Sequence, residues 1–291
     1  MTAKPYIVVH GGFHKTATSH VQSTLARNSK MLERAGVHYV NHRDTRKRLT
    51  VPVQCHAYLT LDIGWTPKIT ESELGQMTGV FLDEVTESGA TRLIFSDENM
   101  AGHCGHCARF GKLYRWGHRM IEIFAAQFPQ GVDEVHLGIR NYADFFASAY
   151  VEYLRSVTGQ WFADEAHMRL MVLTRMPNWH KLLRHVAQSF RGAKVYVWCY
   201  EDFRALDQQI LSNLCGPEVS VSDLAAPKDR NKRPSASGRA VSELLQRIHK
   251  DGAEEALKHR LDLQQKYPRG ASYAAYDPWT AAERAHLTRV Y

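Results

Sequence analysis

Lys15 has neighbours that suggest chemistry. It stands in HGGFHKTATSH, His10 to His20, behind the apolar run Tyr6 to Val9 and ahead of a helical pattern. A strand, then Gly-Gly, then Lys-Thr, then a helix is how a protein presents backbone N–H groups and a positive helix end to an oxyanion. Gly11 and Gly12 give the chain the freedom to approach a bound group, and Lys15 supplies a point charge. Thr16, Thr18 and Ser19 add hydroxyl donors at the first helical turn. The same letters also suit an ordinary solvated strand-to-helix turn, so other residues must decide. A nucleoside-triphosphate loop requires G-x-x-x-x-G-K-[ST], and here His14 precedes Lys15, which counts against an ATPase or kinase.

Other residues have the types for a site. Asp97 and Glu98, in LIFSDENM, put two carboxylates at a predicted strand end, where one could take a proton if its pKa is suitably tuned. In VHLGIRNYADFFASAYVEYLR a strand ends in Arg140 and a helix carries Ser148, eight residues on. That spacing is a little over two helical turns and lets a guanidinium fork and a hydroxyl approach one anion.

HKTATSHVQSTLARN resembles the 5′-phosphosulfate loop of the sulfotransferases, which use 3′-phosphoadenosine 5′-phosphosulfate (PAPS). Bacterial-type members have a loop close to H-K-T-G-T-T-x-L-Q. His14, Lys15, Thr16, Thr18 and Gln22 match, while Ala17 replaces Gly, Ser19 replaces Thr and Val21 replaces Leu. Alanine removes some backbone freedom but stays small, and the loop is expected to survive. The resemblance places the loop from His14 to Ser19, Ala17 included, around the 5′-phosphate. It implies Arg140 and Ser148 for the 3′-phosphate. KVYVWCYEDF resembles the strand-Y-E-D segment of the same superfamily, which implies Tyr200 near the adenine. The basic loop PKDRNKRPSAS implies Arg233, with Lys232 and Ser235 behind it, as late residues on the 3′-phosphate. The matches run in family order over residues 6 to 203.

What the resemblance implies is sulfo transfer by in-line displacement, with Lys15 stabilising the departing oxygen, PAP as product and no metal required. Glu98 is the first candidate for the base, with Asp97 and His14 as alternatives; the catalytic set is Lys15, Glu98 and His14. The acceptor, a small molecule, carbohydrate or lipid, has no readable code in the expected loops Asn41 to Lys68 and Ala101 to Lys112. Two rivals remain, a nucleotide-dependent kinase and a binding protein that keeps the nucleotide site without chemistry.

His103, Cys104, His106 and Cys107 crowd two Cys and two His into five residues. A tetrahedral zinc site draws pairs of ligands from separated segments, and Cys55-His56 would have to be the second pair. A loop beside the cleft, with one or two His lining an acceptor pocket, is the expectation.

The elements that must hold these residues read as β-α units. Strands are expected at Tyr6 to His10, Arg92 to Ser96, Glu134 to Arg140 and Lys194 to Tyr200, each ending in polar residues. Helices are expected at Thr18 to Ala35, Glu71 to Ser88, Lys112 to Phe128, Tyr142 to Thr158, Met176 to Phe190 and Ser237 to Asp251, the last capped by Ser235 or Ser237. In open α/β sheets ligands sit beyond the carboxyl ends of the strands, where these polar ends would converge. The fold expected is a three-layer α/β/α domain with a central, mostly parallel sheet, of the P-loop nucleoside triphosphate hydrolase-like type that the sulfotransferase resemblance implies. One domain spanning 1–291, with helical insertions and a helical tail that helps cover the site, is expected.

Composition narrows the classes. Of 291 residues 44% are apolar and 23% charged, which suits a globular chain, and no apolar run approaches the length of a membrane span. The net charge of +7 favours an anionic ligand. Lys and Arg are scattered without a nucleic-acid recognition motif, so no nucleic-acid partner is expected. The five cysteines are odd in number and sparse, as in a reducing compartment, and MTAKPYIVV enters a strand without a signal segment. A cytoplasmic location is expected; oligomeric state has no signal here.

Overall fold

In the computed structural model, which describes residues 4–227 and 235–291, five short runs rich in β-branched and aromatic residues form one parallel sheet. They are β1 (Tyr6–His10), β2 (Val37–Val40), β3 (Arg92–Ser96), β4 (Glu134–Ile139) and β5 (Lys194–Cys199), in the order β2-β3-β1-β4-β5. Every pairing is parallel. The order reverses about β1, whose last residue, His10, lies opposite Ser96 of β3 and His136 of β4. Such a reversal opens a crevice beyond the strand carboxyl ends.

The helices between the strands begin with α1 (Thr18–Arg27), α2 (Ser29–Arg34), α3 (His42–Thr45), a π-helical turn (Arg46–Thr50), α4 (Val51–Thr60) and α5 (Glu71–Thr86). They continue with α6 (Cys104–Phe110), α7 (Gly117–Ala126), α8 (Tyr142–Ser156), α9 (Glu165–Arg175), α10 (Trp179–Ser189) and α11 (Phe203–Cys215). The last are α12 (Gly238–Asp251), α13 (Ala253–Ala256), α14 (Arg260–Lys266) and α15 (Ala281–Val290). Among the described residues no helix is long and apolar enough to cross a membrane.

The described residues divide into two compact units, 4–102, 116–139 and 179–227 in the first and 103–115, 140–178 and 235–291 in the second. The first contains the whole sheet. Alternate side chains of a strand point to opposite faces, and both faces are covered. Val8 and Ile94 join Val21 and Leu25 of α1 and Ile210 and Leu214 of α11 in one core. Phe95 turns the other way, edge-on to Phe81 of α5 (6.2 Å) and Phe128 (5.4 Å), with Phe124 of α7 behind it. The three-layer α/β/α arrangement is thus the expected one, with the sheet entirely parallel.

Four expectations are corrected. The helix expected from Thr18 to Ala35 is two helices, broken at Asn28, whose φ of −102° and ψ of 10° leave the helical range and whose side-chain amide donates to the Thr24 and Ala225 carbonyls at 2.7 and 2.9 Å. The stretch from Asn41, expected as a loop, is helical from His42 to Thr60, and the HCGHC segment forms α6 with His103 as its N-cap rather than a loop. A fifth strand, β2, stands at the edge of the sheet.

In the second unit α8 buries Phe145, Phe146, Tyr150 and Leu154. The chain end is fastened to α8, with Trp279 Nε1 donating to the Ala143 carbonyl at 2.9 Å and Arg284 paired to Asp144 at 2.9 Å. Ser237, one of the two expected caps, accepts from the Ala240 amide at 3.1 Å and starts α12.

Candidate functional site

The loop after β1 is closed by its own side chains. The Thr16 hydroxyl donates to the Phe13 carbonyl, and the Thr18 hydroxyl approaches the same oxygen at 3.4 Å. Both threonine protons are thereby spent inside the loop, while Ser19 remains exposed. A residue expected to bend easily does not carry the bend. Gly11 and Gly12 keep negative-side backbone angles and serve close packing: a Cβ on Gly11 would lie 2.6 Å from Met100 Cε, and one on Gly12 3.0 Å from Thr18 Oγ1. The left-handed angles fall instead on Lys15 and Ala17, each with φ of 66°. For an L-residue that conformation costs roughly 1–2 kcal/mol. Alternation of this kind turns successive amides toward one point, the geometry of an anion nest.

Ala17 is also the N-cap of α1. Among the described residues no side chain caps that end, and no acidic residue occupies its first turn. Among the described residues the positive end of α1 therefore has no capping anion, and Lys15, half-buried, stands beside it. β4 lets the loop settle on the sheet because Gly138 has no side chain; a Cβ there would meet Thr16 Cβ and Oγ1, both at 2.8 Å. Under the loop His10 is fully buried at 0% exposure, and its Nε2 has no hydrogen-bond partner among the described residues. An uncapped helix end, a nearby ammonium and an unsatisfied buried ring nitrogen suit a tetrahedral oxyanion such as phosphate or sulfate.

Beside the loop, the end of β3 delivers Asp97, Glu98 and Asn99. Arg46, from the π-helical turn, donates to Asp97 Oδ1 from Nη2 at 2.6 Å and to Glu98 Oε1 at 2.8 Å. Its Nε adds bonds to both Asp97 oxygens at 3.1 and 3.3 Å. Asn99 donates to Asp97 from its backbone and side chain, and its Oδ1 lies 3.1 Å from His14 Nε2. Gln54 holds Asn99 in place through its carbonyl at 2.7 Å. Gln22 of α1 donates to Glu98 Oε2 at 3.0 Å.

Burial alone would push the Glu98 carboxyl up. The Arg46 guanidinium, the neighbouring His14 ring and the Gln22 donor outweigh it, and the pKa falls to about 2. At neutral pH Glu98 is an ionised acceptor with its lone pairs in use.

The structure thus brings His14, Lys15, Thr16, Ala17, Thr18, Ser19 and Glu98 together in the first unit. Tyr200 is in that unit too, in the 3₁₀ turn after β5, half-buried against the core that includes Trp198 and Phe203. Arg140 follows β4 directly and Ser148 lies in α8, both in the second unit. Arg233 and Lys232 lie outside the described residues, and Ser235 is exposed. Among the described residues no group of three or more His, Cys, Asp or Glu side chains is placed to hold a metal ion. A cavity of about 500 Å³ opens at the amino end of β1, lined by Lys4, Pro5, Thr78 and Gln127 among others, and shares no residue with the loop.

Four residues of this site were not anticipated: Arg46, Gln54, Asn99 and His10. Arg46 and Gln54 sat in a segment read as a loop without code. His10 had a signal, its place as the last strand residue before Gly-Gly.

No family model matches the chain, and no curated protein matches it in sequence. Among solved structures, a sulfotransferase from Alicyclobacillus acidocaldarius is similar over 89% of this chain and 97% of its own, at 13% identity and a TM-score of 0.42. At that identity and TM-score the likeness carries no weight for the chemistry, which the residues themselves must support.

Proposed function

We propose that the chain is a sulfotransferase that moves a sulfo group from PAPS to a hydroxyl or amine of an acceptor and releases PAP. The observation that carries this reading is the loop from His10 to Ser19, with two left-handed non-glycine residues, Lys15 and Ala17, turning it onto an uncapped α1. A second feature favours sulfo over phosphoryl transfer. Phosphoryl-transfer sites hold Mg²⁺ with carboxylates, whereas Asp97 and Glu98 are already charge-paired with Arg46.

When bound, PAPS supplies an activated sulfo group whose transfer leaves the electron pair of the broken S–O bond on the 5′-phosphate. Lys15 and the positive end of α1 meet that charge. His14 takes the proton that the acceptor gives up as its new bond to sulfur forms, and Glu98 stabilises the resulting imidazolium. Glu98 is the poorer base itself, because its pKa of about 2 leaves it little appetite for a proton. The proposal assigns the 3′-phosphate to Arg140 and Ser148 and the adenine to Tyr200, as the resemblance implies.

Calorimetric titration with PAP and with ATP tests the reading. PAP is expected to bind at least about tenfold more tightly, a difference of about 1.4 kcal/mol; preference for ATP would sink it. The low pKa of Glu98 also favours a second reading, a protein that holds the nucleotide without turning it over. Slow hydrolysis of labelled PAPS distinguishes the two: equal background rates for wild type, Lys15→Ala and His14→Gln would favour the binder.

A further inference from the structure

A chain of four side chains runs from Glu98 to the underside of the loop, and its protons can be placed one at a time. Glu98, ionised, can only accept. Gln22 must therefore face it with its NH₂ group, and that same nitrogen also reaches Ser96 Oγ at 3.2 Å. Ser96 is fully buried, and its Oγ lies 2.8 Å from His10 Nδ1. Since Ser96 accepts from Gln22, and no other acceptor for its hydroxyl is recorded among the described residues, its single proton goes to His10 Nδ1. A neutral imidazole with Nδ1 accepting carries its hydrogen on Nε2. Burial, with the charge of His136 added, lowers the His10 pKa to about 3, so the ring is neutral under ordinary conditions.

The result is a buried N–H aimed at the loop. Nε2 lies 3.1 Å from where a Cβ on Gly12 would be, a tight approach that glycine avoids, and it has no partner among the described residues. The ring plane is fixed by stacking on Trp198, with centroids 5.9 Å apart and planes 16° apart. Trp198 Nε1 is likewise buried and without a partner among the described residues, 3.0 Å from the Cβ position of Gly138 under Thr16. A donor left dry in this way costs free energy that only an arriving acceptor recovers.

We infer that His10, locked as the Nε2–H tautomer by Ser96, Gln22 and Glu98, donates a hydrogen bond to an oxygen of the anion held in the loop. It is a binding residue from beneath, complementary to Lys15 and α1. The inference rests on the reading that this loop holds a phosphate-like anion, and it couples that anion to Glu98. Gln22, which touches only Ser96 and Glu98 among these groups, becomes a positioning residue for the anion site.

Ring nitrogen NMR of the full chain tests it without any need for turnover. In the free protein His10 is expected to show a protonated Nε2 and a bare Nδ1; the opposite tautomer overturns the inference. Titration with inorganic pyrophosphate and with PAP should then shift the His10 Nε2–H resonance. His10→Phe, which keeps a flat ring against Trp198, should bind both about tenfold to a hundredfold more weakly, the loss of one hydrogen bond to a charged group. Gln22→Leu should blur the tautomer preference and weaken binding in the same direction. If PAP binds but the resonance stays still and His10→Phe binds as tightly, the inference fails while the sulfotransferase reading survives. If pyrophosphate moves the resonance and PAP does not bind, the reading fails and the inference stands. Binding of neither overturns both. Should His10→Phe not fold, the wild-type resonance decides.

Discussion

Replacing Arg46 with Met should weaken the fold in a way that depends on pH. The guanidinium is the shared partner of two carboxylates, bonded to Asp97 at 2.6 Å and Glu98 at 2.8 Å. The Asp97 side chain is 0% exposed and that of Glu98 19%, so neither can turn to water when the cation is removed. Breaking a buried pair by deleting one member costs about 3–5 kcal/mol, and an exposed pair about 0–1. Arg46 itself is 37% exposed, which screens the pair, and Asn99 and Gln22 remain as donors to the carboxylates. The expected loss is therefore intermediate, about 2–3 kcal/mol near neutral pH. The Glu98 pKa is depressed in the folded state to about 2 from its ordinary 4.5. A depressed carboxyl stabilises the fold above the unfolded pKa, and that contribution is lost as pH falls through the folded one. The gap between wild type and Arg46→Met should thus be full near pH 7 and shrink steadily toward about pH 3. Urea unfolding at both pH values, with unchanged m, measures it. A loss below about 0.5 kcal/mol at neutral pH, the range of ordinary surface changes, would refute the reasoning, as would a loss that does not shrink with acid.

Two substitutions probe the loop itself. Ala17→Gly removes the penalty of φ 66°, roughly 1–2 kcal/mol, and adds about 0.5–1 kcal/mol of unfolded-chain entropy, so a net gain of about 0.5–1 kcal/mol is expected in urea unfolding; destabilisation would contradict the left-handed geometry. Gly138→Ala places a methyl 2.8 Å from Thr16 Cβ and 3.0 Å from Trp198 Nε1. It should cost about 1–3 kcal/mol by overpacking and weaken PAP binding, and unchanged affinity would show that the loop does not depend on β4 for its position.

Much of the scaffold could be read from residue patterns, and the failures have physical causes. Four strands were recognisable from β-branched and aromatic runs. β2 was not, because VHYV is only four residues, sits just after an apparent helix and pairs with β3 alone. The helix α4, VPVQCHAYLT, buries Pro52, Val53, Cys55, His56, Ala57 and Tyr58 around most of its circumference. A helix buried on nearly every side has no polar face and so no helical period to read. At the break, Asn28 bonds to Ala225, 197 residues away, and no local pattern carries such a contact.

The site divides along the same line. Groups whose place follows from backbone order, Lys15 and the loop between a strand and a helix, were legible because β-α order fixes where a strand end points. Groups whose role follows from charge pairing were not. Glu98 was a sensible base on type and position, since a carboxylate at a strand end becomes basic when burial dominates. Whether burial dominates depends on what else arrives. Here Arg46 comes in from a π-helical turn, Gln22 from α1 and His14 from the loop, and together they reverse the sign of the shift. In the proposed reading the same carboxylate serves as an anchor for Gln22, from whose amide it accepts a hydrogen bond at 3.0 Å, rather than as the base. Residue type gave the inventory of possible roles, and the selection among them was made by neighbours 50 to 80 residues distant in sequence, such as Arg46 and Gln22 around Glu98, the latter a separation of 76.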